Sequence, residues 1–205
     1  VIQWIHRSTR GWSYGSTVSD PRTGEIIKGH VSLGSLRIRQ DFMIALGLLE
    51  KPFSSESNKE EDALKMSLAR IRQLSAHEIG HTLGFAHNFT SSANKRSSVM
   101  DYPHPNIELN GDKISLSNAY EEGIGEWDKV SVAYSYSDFP EGVNEQDALN
   151  KIIEKSSFDG HRFITDKDAR PIGGAHPIAH LWDNGKIATD ELERLMKIRK
   201  IALKN

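Results

Sequence analysis

Three histidines, a glutamate and a glycine within eleven residues constrain this chain more than any other feature. Residues 77–87 read HEIGHTLGFAH, the pattern H-E-x-x-H-x-x-G-x-x-H. His77 and His81 are four residues apart, so on a helix their imidazoles project from the same face about one turn apart. Gly84 can adopt the left-handed conformation that ends a helix and turns the chain. His87 follows this turn, so the three imidazoles can meet at one metal ion.

The residue types of this pattern favour a catalytic zinc site. Three protein ligands leave one coordination position for water, whereas structural zinc sites are closed and usually recruit cysteine. Glu78 lies about 100° around a helix from His77, beside the metal, where its carboxylate can take a proton from a bound water. We therefore expect His77, His81 and His87 to bind one Zn²⁺ and Glu78 to act as the general base. Ordinary helix histidines or a structural zinc site are the alternatives, and neither needs Glu78.

Composition excludes several other classes of function. The 205 residues suffice for one domain of ordinary size, in one or two lobes, and the formal net charge is -2. No block of like charge predicts binding to nucleic acid, and no apolar run approaches the roughly 18 residues of a membrane span. The chain has no cysteine, so thiols do not indicate its compartment.

The two ends of the chain suggest a fragment of a longer protein. Residues 1–5 (VIQWI) are apolar on both strand faces, which predicts a strand buried in the middle of a sheet. Residues 192–202 end the chain in a helical pattern. We expect the first part of the fold to be missing, with any export signal upstream of Val1.

The N-terminal part reads as strands. Residues 11–27 predict a hairpin whose turn is Asp20-Pro21-Arg22-Thr23-Gly24. Apolar residues alternate over 31–39, but the parity changes at Gly34-Ser35. This predicts a bulged strand, and two short strands with a kink are the alternative.

Helices follow. Residues 41–53 predict a short helix or an irregular connection. Ser57 opens a capping box for a long helix over 58–83. Its predicted core stripe is Leu64, Leu68, Ile71 and Ile79, with Lys65, Arg70 and Arg72 on the solvated surface. Further helices are expected over 121–136, 143–156 and 187–203, the first with core candidates Ile124, Trp127, Val130, Val132 and Tyr134.

Together with the segment SVMDY at 98–102, the histidine pattern resembles the metzincins, zinc endopeptidases with a methionine turn under the metal. More narrowly, the chain is similar to a family of large bacterial zinc-dependent metalloproteases. The segments GHVSLG at 29–34 and GEWD at 125–128 carry that similarity. The resemblance covers roughly residues 1–139.

The resemblance implies an α+β fold: a metzincin-like catalytic domain with a mixed twisted sheet, a long active-site helix, a lower lobe with the Met-turn and a helical C-terminal extension. The implied division is residues 1–87 as the upper lobe, 88–139 as the lower lobe and 140–205 as the extension. Met100 would be the Met-turn methionine. Tyr102 would stabilise the oxyanion, or else pack under the turn. Gly34 and Ser35 would belong to an edge strand that binds extended peptide.

These expectations add up to a zinc-dependent metalloendopeptidase acting on peptide or protein through a zinc-activated water, secreted, periplasmic or envelope-associated in a bacterium. The alternatives are a non-catalytic zinc-containing module that binds peptides or partners, and a zinc hydrolase acting on a non-peptide bond. Weaker candidates are His104 as a cleft residue or substitute ligand, Asp166-Lys167-Asp168 as a calcium loop, and His176 with His180 as a second metal site.

Overall fold

The computed structural model describes residues 1–9, 11–49 and 59–204, an α+β arrangement of short strands and helices. Contacts divide the chain into two compact units. The first comprises Val1–Gly84, His104–Gly123 and Ala188–Asn205, and the second comprises Phe85–Pro103 and Ile124–Ile187. Both units are built from non-consecutive segments. The predicted lobes are consecutive ranges, 1–87, 88–139 and 140–205, so they do not correspond one to one with these units, and the division into lobes stays a prediction.

A three-stranded mixed sheet belongs to the first unit. It contains β1 (Ile2–Ile5), β2 (Tyr14–Ser19) and β3 (Ile26–Gly34) in the order β1-β3-β2. Strand β3 is parallel to β1 and antiparallel to β2. The predicted hairpin is confirmed: the amide of Gly24 donates to the carbonyl of Asp20 at 2.8 Å, and Gly24 has a φ of +77°. Glycine adopts this conformation without the steric cost of a Cβ atom.

Two expectations about the sheet are wrong. Strand β1 lies at an edge of the described sheet, not in its middle, and Ile2 is 63% exposed. Gly34 lies in the central strand and pairs with Ile5, while its amide donates to Ser13 Oγ at 3.1 Å. Because Gly34 is paired with β1 and its amide is bonded to Ser13, and because Ser35 follows the end of β3, the two residues do not form an edge strand free to bind peptide by strand addition.

The predicted bulge at Gly34-Ser35 is also wrong. Strand β3 ends at Gly34, and the helix α1 (Leu36–Leu48) begins two residues later. Ser35 has helical backbone angles, φ -63° and ψ -27°. The change of apolar parity therefore marks a transition from strand to helix, and Arg37 pairs with Asp41 one helical turn further on, at 2.8 Å. The irregular register of this sheet occurs instead at Val18/Ser19.

The long helix α2 (Lys59–Thr82) is confirmed. Glu60, Glu61 and Asp62 occupy its first turn, where carboxylates interact favourably with the positive end of the helix dipole. The capping box at Ser57 lies outside the described residues. At the other end Gly84 has a φ of +86°, and its amide donates to the carbonyl of His81 at 3.1 Å. Gly84 thus ends the helix as the sequence predicted.

The buried face of α2 differs from the predicted stripe. Leu64, Leu68 and Ile79 are exposed, at 40–47%. The buried face instead consists of Ala63, Met66, Ser67, Arg70, Gln73, Leu74, His77, Glu78 and Gly80. Both stripes have helical spacing, so hydrophobicity alone favoured the wrong one. The contacts of α2 with α1 and β2 select the face that also carries His77 and Glu78.

Arg70 is the clearest error in the surface assignment, because only 4% of it is exposed. Its Nη1 donates to Gln73 Oε1, and its guanidinium carbon lies 5.3 Å from the ring centroid of Tyr120. A guanidinium over an aromatic face is stabilised by the negative charge of the ring face. Lys65 and Arg72 are exposed, as predicted.

In the core of the first unit, α1 and α2 pack against residues 107–120 and against the last helix of the chain. This core includes the hairpin strands β4 (Glu108–Asn110) and β5 (Lys113–Ser115), and the helix α6 (Ala188–Ala202). The buried cluster consists of Ala45, Leu46, Leu49, Ala63, Met66, Ile107, Leu116, Ala119, Tyr120 and Ile198. Burying one side chain such as Met66 contributes roughly 1.5–3 kcal/mol.

The second unit contains a short 3-10 turn (Ser92–Asn94) and the helices α3 (Glu126–Tyr136), α4 (Glu145–Phe158) and α5 (Asp166–Ala169). The helices predicted over 121–136, 143–156 and 187–203 correspond to α3, α4 and α6, although α3 begins only at Glu126. In α3, Trp127 and Val130 are half-buried and Asp128 is buried, whereas Val132 and Tyr134 are exposed, as is Ile124 just before the helix. Among the described residues, no helix is long and apolar enough to cross a membrane.

Candidate metal site

The last turns of α2 carry two of the three predicted ligands. Nε2 of His81 lies 3.1 Å from Nε2 of His77, and the two rings are perpendicular with centroids 4.7 Å apart. His77 is buried, with 4% exposed. Two nitrogens that bind one zinc tetrahedrally at 2.0–2.1 Å are about 3.3 Å apart. The separation of the two imidazole nitrogens fits a shared ion.

His87 joins this pair. The ligand nitrogens of His77, His81 and His87 all lie within 4.8 Å of one another, and in the part of the chain that the structure describes they are the one such group of three or more metal-binding side chains. Imidazole nitrogen is a common zinc ligand, and three of them leave a coordination position open. The donor set and its spacing therefore fit zinc.

Glu78 is held beside His77 by the neighbouring strand. It is 4% exposed, and its carboxylate accepts a hydrogen bond from the backbone amide of Gly15 in β2. A Cβ atom at Gly15 would lie 2.0 Å from the carbonyl oxygen of Glu78, so only glycine permits this approach. Burial raises the pKa of Glu78 to about 7, and the Gly15 amide and the charge of Arg70 oppose that rise.

His87 has a hydrogen-bond partner that the sequence did not reveal. Its Nδ1 lies 2.6 Å from Oδ2 of Asp166 in α5, and the other oxygen of that carboxylate accepts from Arg170 Nη1 at 3.0 Å. Asp166 was considered only as part of a calcium loop. No local pattern identifies this contact, because 79 residues separate the two partners.

The residue after His87 anchors a distant segment. Asn88 is fully buried, its Nδ2 donates to the carbonyl of Arg162 at 2.9 Å, and its Oδ1 accepts from the amide of Ile164 at 3.2 Å. The hydroxyl of Thr90 also donates to the Arg162 carbonyl, and the amide of Phe89 donates to the Ile164 carbonyl. Residues 88–90 and 162–164 therefore form one hydrogen-bonded assembly.

The Met100 segment is a buried turn bonded to the chain beside His87. Met100 is 3% exposed, and its carbonyl accepts from the amide of Asn88 at 2.8 Å. The buried carboxylate of Asp128 accepts from Ser98 Oγ at 2.5 Å and from the amides of Val99 and Gly125 at 2.8 and 2.7 Å. Asp128 thus connects the turn to the start of α3. The role of Met100 beneath the ligands stays a prediction.

Gly125, at the start of α3, has a steric reason to be glycine. A Cβ atom there would lie 2.0 Å from the carbonyl oxygen of Ser97, which accepts from the amide of Trp127 at 2.9 Å. The motif GEWD therefore combines close backbone packing at Gly125 with the buried acceptor at Asp128.

Tyr102 lies between two aromatic rings. Its ring centroid is 4.6 Å from that of His87 in an edge arrangement, and 5.1 Å from that of Trp182 in a stacked one. The amide of Trp182 donates to the carbonyl of Tyr102 at 2.9 Å. Offset and edge-to-face ring pairs are favourable contacts. These rings fix the position of Tyr102, whose part in oxyanion binding stays a prediction.

Asp101, between Met100 and Tyr102, is a buried acid. Burial raises the pKa of Asp101 to about 6, although the hydroxyl of Ser91 and the amides of Tyr102 and Ser92 donate to its carboxyl group. The nearby charge of Asp183 raises the pKa further. The folded chain therefore holds this proton to a higher pH than the unfolded chain does.

We expect Asp101 to make the folded chain less stable as the pH rises. Its contribution is fully present below about pH 4 and is lost as the pH rises through about 6. Between these values the folded chain keeps a proton that the unfolded chain has lost, so a rise in pH favours unfolding. A shift of about two pKa units corresponds to about 3 kcal/mol. Urea denaturation at several pH values should show the difference in unfolding free energy between the native chain and Asp101→Asn falling by about 2–3 kcal/mol from pH 4 to pH 7. A constant difference would contradict this assignment.

The remaining candidates are not part of this group. Nδ1 of His104 contacts the carbonyl of Pro105, and Nε2 of His180 contacts the carbonyl of Pro177. Nδ1 of His176 accepts from the amide of Ile178. Neither His104 nor the pair His176 and His180 belongs to a group of three potential ligands among the described residues.

Comparisons with known proteins agree with this geometry. The model of the Met-zincin family matches residues 59–205, which is more than half of the chain and includes all three histidines. Neither the curated proteins nor the solved structures contain a match. The match supports a metallopeptidase-like fold, and the cluster of His77, His81 and His87 is consistent with a zinc site. The chain belongs to the Met-zincin family.

Proposed function

We propose that this protein is a zinc-dependent metalloendopeptidase, with His77, His81 and His87 as the ligands of one catalytic Zn²⁺. The observation that carries the proposal is that three imidazoles converge and that the helix carrying two of them, α2, also carries a buried glutamate. A bound zinc ion would lower the pKa of a coordinated water and polarise a carbonyl group.

Glu78 acts as the general base in this proposal. Its carboxylate accepts a proton from the attacking water and returns it to the leaving amine. The amide of Gly15 orients the carboxylate, and packing against β2 limits the conformations that the side chain can adopt. A preorganised carboxylate does not have to reorganise during the reaction.

Tyr102 is the proposed donor to the oxyanion. Its ring makes an edge contact with that of His87 and is stacked on Trp182, and these two contacts limit the orientations that the ring can adopt. Removing one oxyanion donor typically costs about 10²–10³ in rate. A secreted, periplasmic or envelope location is a further proposal, which rests on the resemblance to bacterial metalloproteases alone.

Cleavage of a mixed peptide library, read by mass spectrometry, tests the proposed reaction. We expect internal cleavage by the zinc-loaded chain, loss of cleavage after chelation, and recovery when zinc is restored. The measured stoichiometry should be one zinc per chain. Zinc binding at that stoichiometry without cleavage would reject the proposed activity and favour a module that binds peptides or partners.

A further inference from the structure

We infer that Asp166 is a positioning residue for the metal site, acting through His87, and that the segment 162–170 belongs to that site. This inference rests on the metal site of the proposed function, not on the reaction. The carboxylate at Asp166 is the hydrogen-bond acceptor for Nδ1 of His87 at 2.6 Å, a short bond typical of an ionised partner.

Both oxygens of this carboxylate are engaged. Oδ2 accepts from His87, and Oδ1 accepts from Arg170, one turn later in the chain, at 3.0 Å. The arginine therefore holds the carboxylate in the orientation that the imidazole needs. Among the described residues, neither Asp166 nor Asp168 belongs to a group of three potential metal ligands, so the structure gives no support to the calcium loop considered for residues 166–168.

Backbone pairing fixes the distance between the two partners. The side chain of Asn88, next to His87, binds the carbonyl of Arg162 and the amide of Ile164. The amide of Phe89 donates to the carbonyl of Ile164 at 2.9 Å. Asp166 follows two residues later, and so these bonds determine where its carboxylate can reach. Unlike most exposed ion pairs, this contact has a fixed backbone on both sides.

The hydrogen bond also selects the chemical form of His87. A carboxylate can only accept, so Nδ1 must carry the proton, and Nε2 then presents its lone pair. A metal-ligating histidine whose other nitrogen donates to a carboxylate has a fixed tautomer, a fixed ring orientation and greater basicity. Losing such a partner typically weakens metal binding about 10- to 100-fold.

Three variants separate this role from general effects of charge or folding. Asp166→Ala removes the acceptor, whereas Asp166→Asn removes the charge but keeps a carbonyl oxygen that can accept from Nδ1. Asp168→Asn is the matched control, because it removes the same charge from the same short helix. The oxygen of Asp168 accepts from the amide of Thr165, and asparagine can retain that bond.

Two measurements give the result. Long-range ¹H–¹⁵N spectra of the metal-free chain report the tautomer of His87: the native chain and Asp168→Asn should carry the proton on Nδ1, and Asp166→Ala should lose that preference. Competition with a chromogenic chelator should show zinc bound about 10- to 100-fold more weakly by Asp166→Ala, less weakened in Asp166→Asn, and within about twofold of native in Asp168→Asn.

A folded Asp166→Ala with an unchanged tautomer and unchanged zinc affinity would overturn the inference. If Asp166→Ala does not fold, the zinc affinity of Asp166→Asn decides the inference. It should be lower than that of Asp168→Asn, because only Asp166→Asn removes the charge that faces His87, and equal affinities would overturn the inference. If even the native chain fails to bind zinc, the proposed metal site is wrong, and the tautomer of His87 still decides whether Asp166 orients that ring.

Discussion

Replacing Glu78 with glutamine is expected to lower kcat/KM for peptide cleavage by about 10²–10⁴-fold, while the chain still binds one zinc. Glutamine has nearly the same shape but cannot accept the water proton. Its side-chain oxygen can still accept from the amide of Gly15, so the packing between α2 and β2 should persist. Steady-state kinetics on a peptide from the library, with zinc content measured on the same sample, gives both numbers.

Glu60→Gln provides the matched control for this change. Glu60 lies in the first turn of the same helix and is exposed. The Glu60→Gln variant loses the same charge far from His77, and the kcat/KM of this variant should stay within about twofold of the native value. Near-native turnover by Glu78→Gln would mean that another group takes the proton. Loss of zinc along with activity would mean that Glu78 supports the metal site.

Replacing Asp128 with alanine is expected to lower the free energy of unfolding by about 3–5 kcal/mol, because three buried hydrogen-bond donors lose their acceptor at once. The hydroxyl of Ser98 and the amides of Val99 and Gly125 all donate to this carboxylate. Each buried donor left unsatisfied costs about 1–3 kcal/mol, and relaxation or water recovers part of the sum. Urea denaturation followed by circular dichroism and tryptophan fluorescence measures the loss.

Asp138→Ala is the control for this prediction, since Asp138 follows the same helix and is exposed. Its unfolding free energy should stay within about 0.5 kcal/mol of native. Asp128→Asn should lie between the two, because its amide keeps one acceptor oxygen. A loss below about 1 kcal/mol in Asp128→Ala would show that Asp128 does not hold the Met100 turn.

Local spacing explains why the convergence of the three histidines could be predicted. His77 and His81 share a helix face by periodicity alone, and Gly84 ends that helix through its own backbone conformation. His87 comes three residues later. None of these relations needs a partner from another part of the chain, so the spacing of the motif is enough to predict them.

Burial on α2 could not be predicted in the same way. The stripe of Leu64, Leu68 and Ile79 is more apolar than the face that packs, which contains Arg70 and Gln73. Which face is buried depends on where α1 and β2 contact the helix, and Arg70 can be buried because Tyr120 and Gln73 supply its contacts. Periodicity gives the spacing of a stripe but not its direction.

The sequence by itself determined the three histidines that converge, the candidate base and the family, because these depend on residues within a few helical turns of one another. Only the tertiary structure decided that β3 is a central strand, that Asp128 holds the Met100 turn and that Asp166 is the partner of His87. The contacts of Asp128 with Val99 and of Asp166 with His87 join residues 29 and 79 positions apart. Such pairings are set by how the backbone segments pack, and no spacing along the chain encodes them.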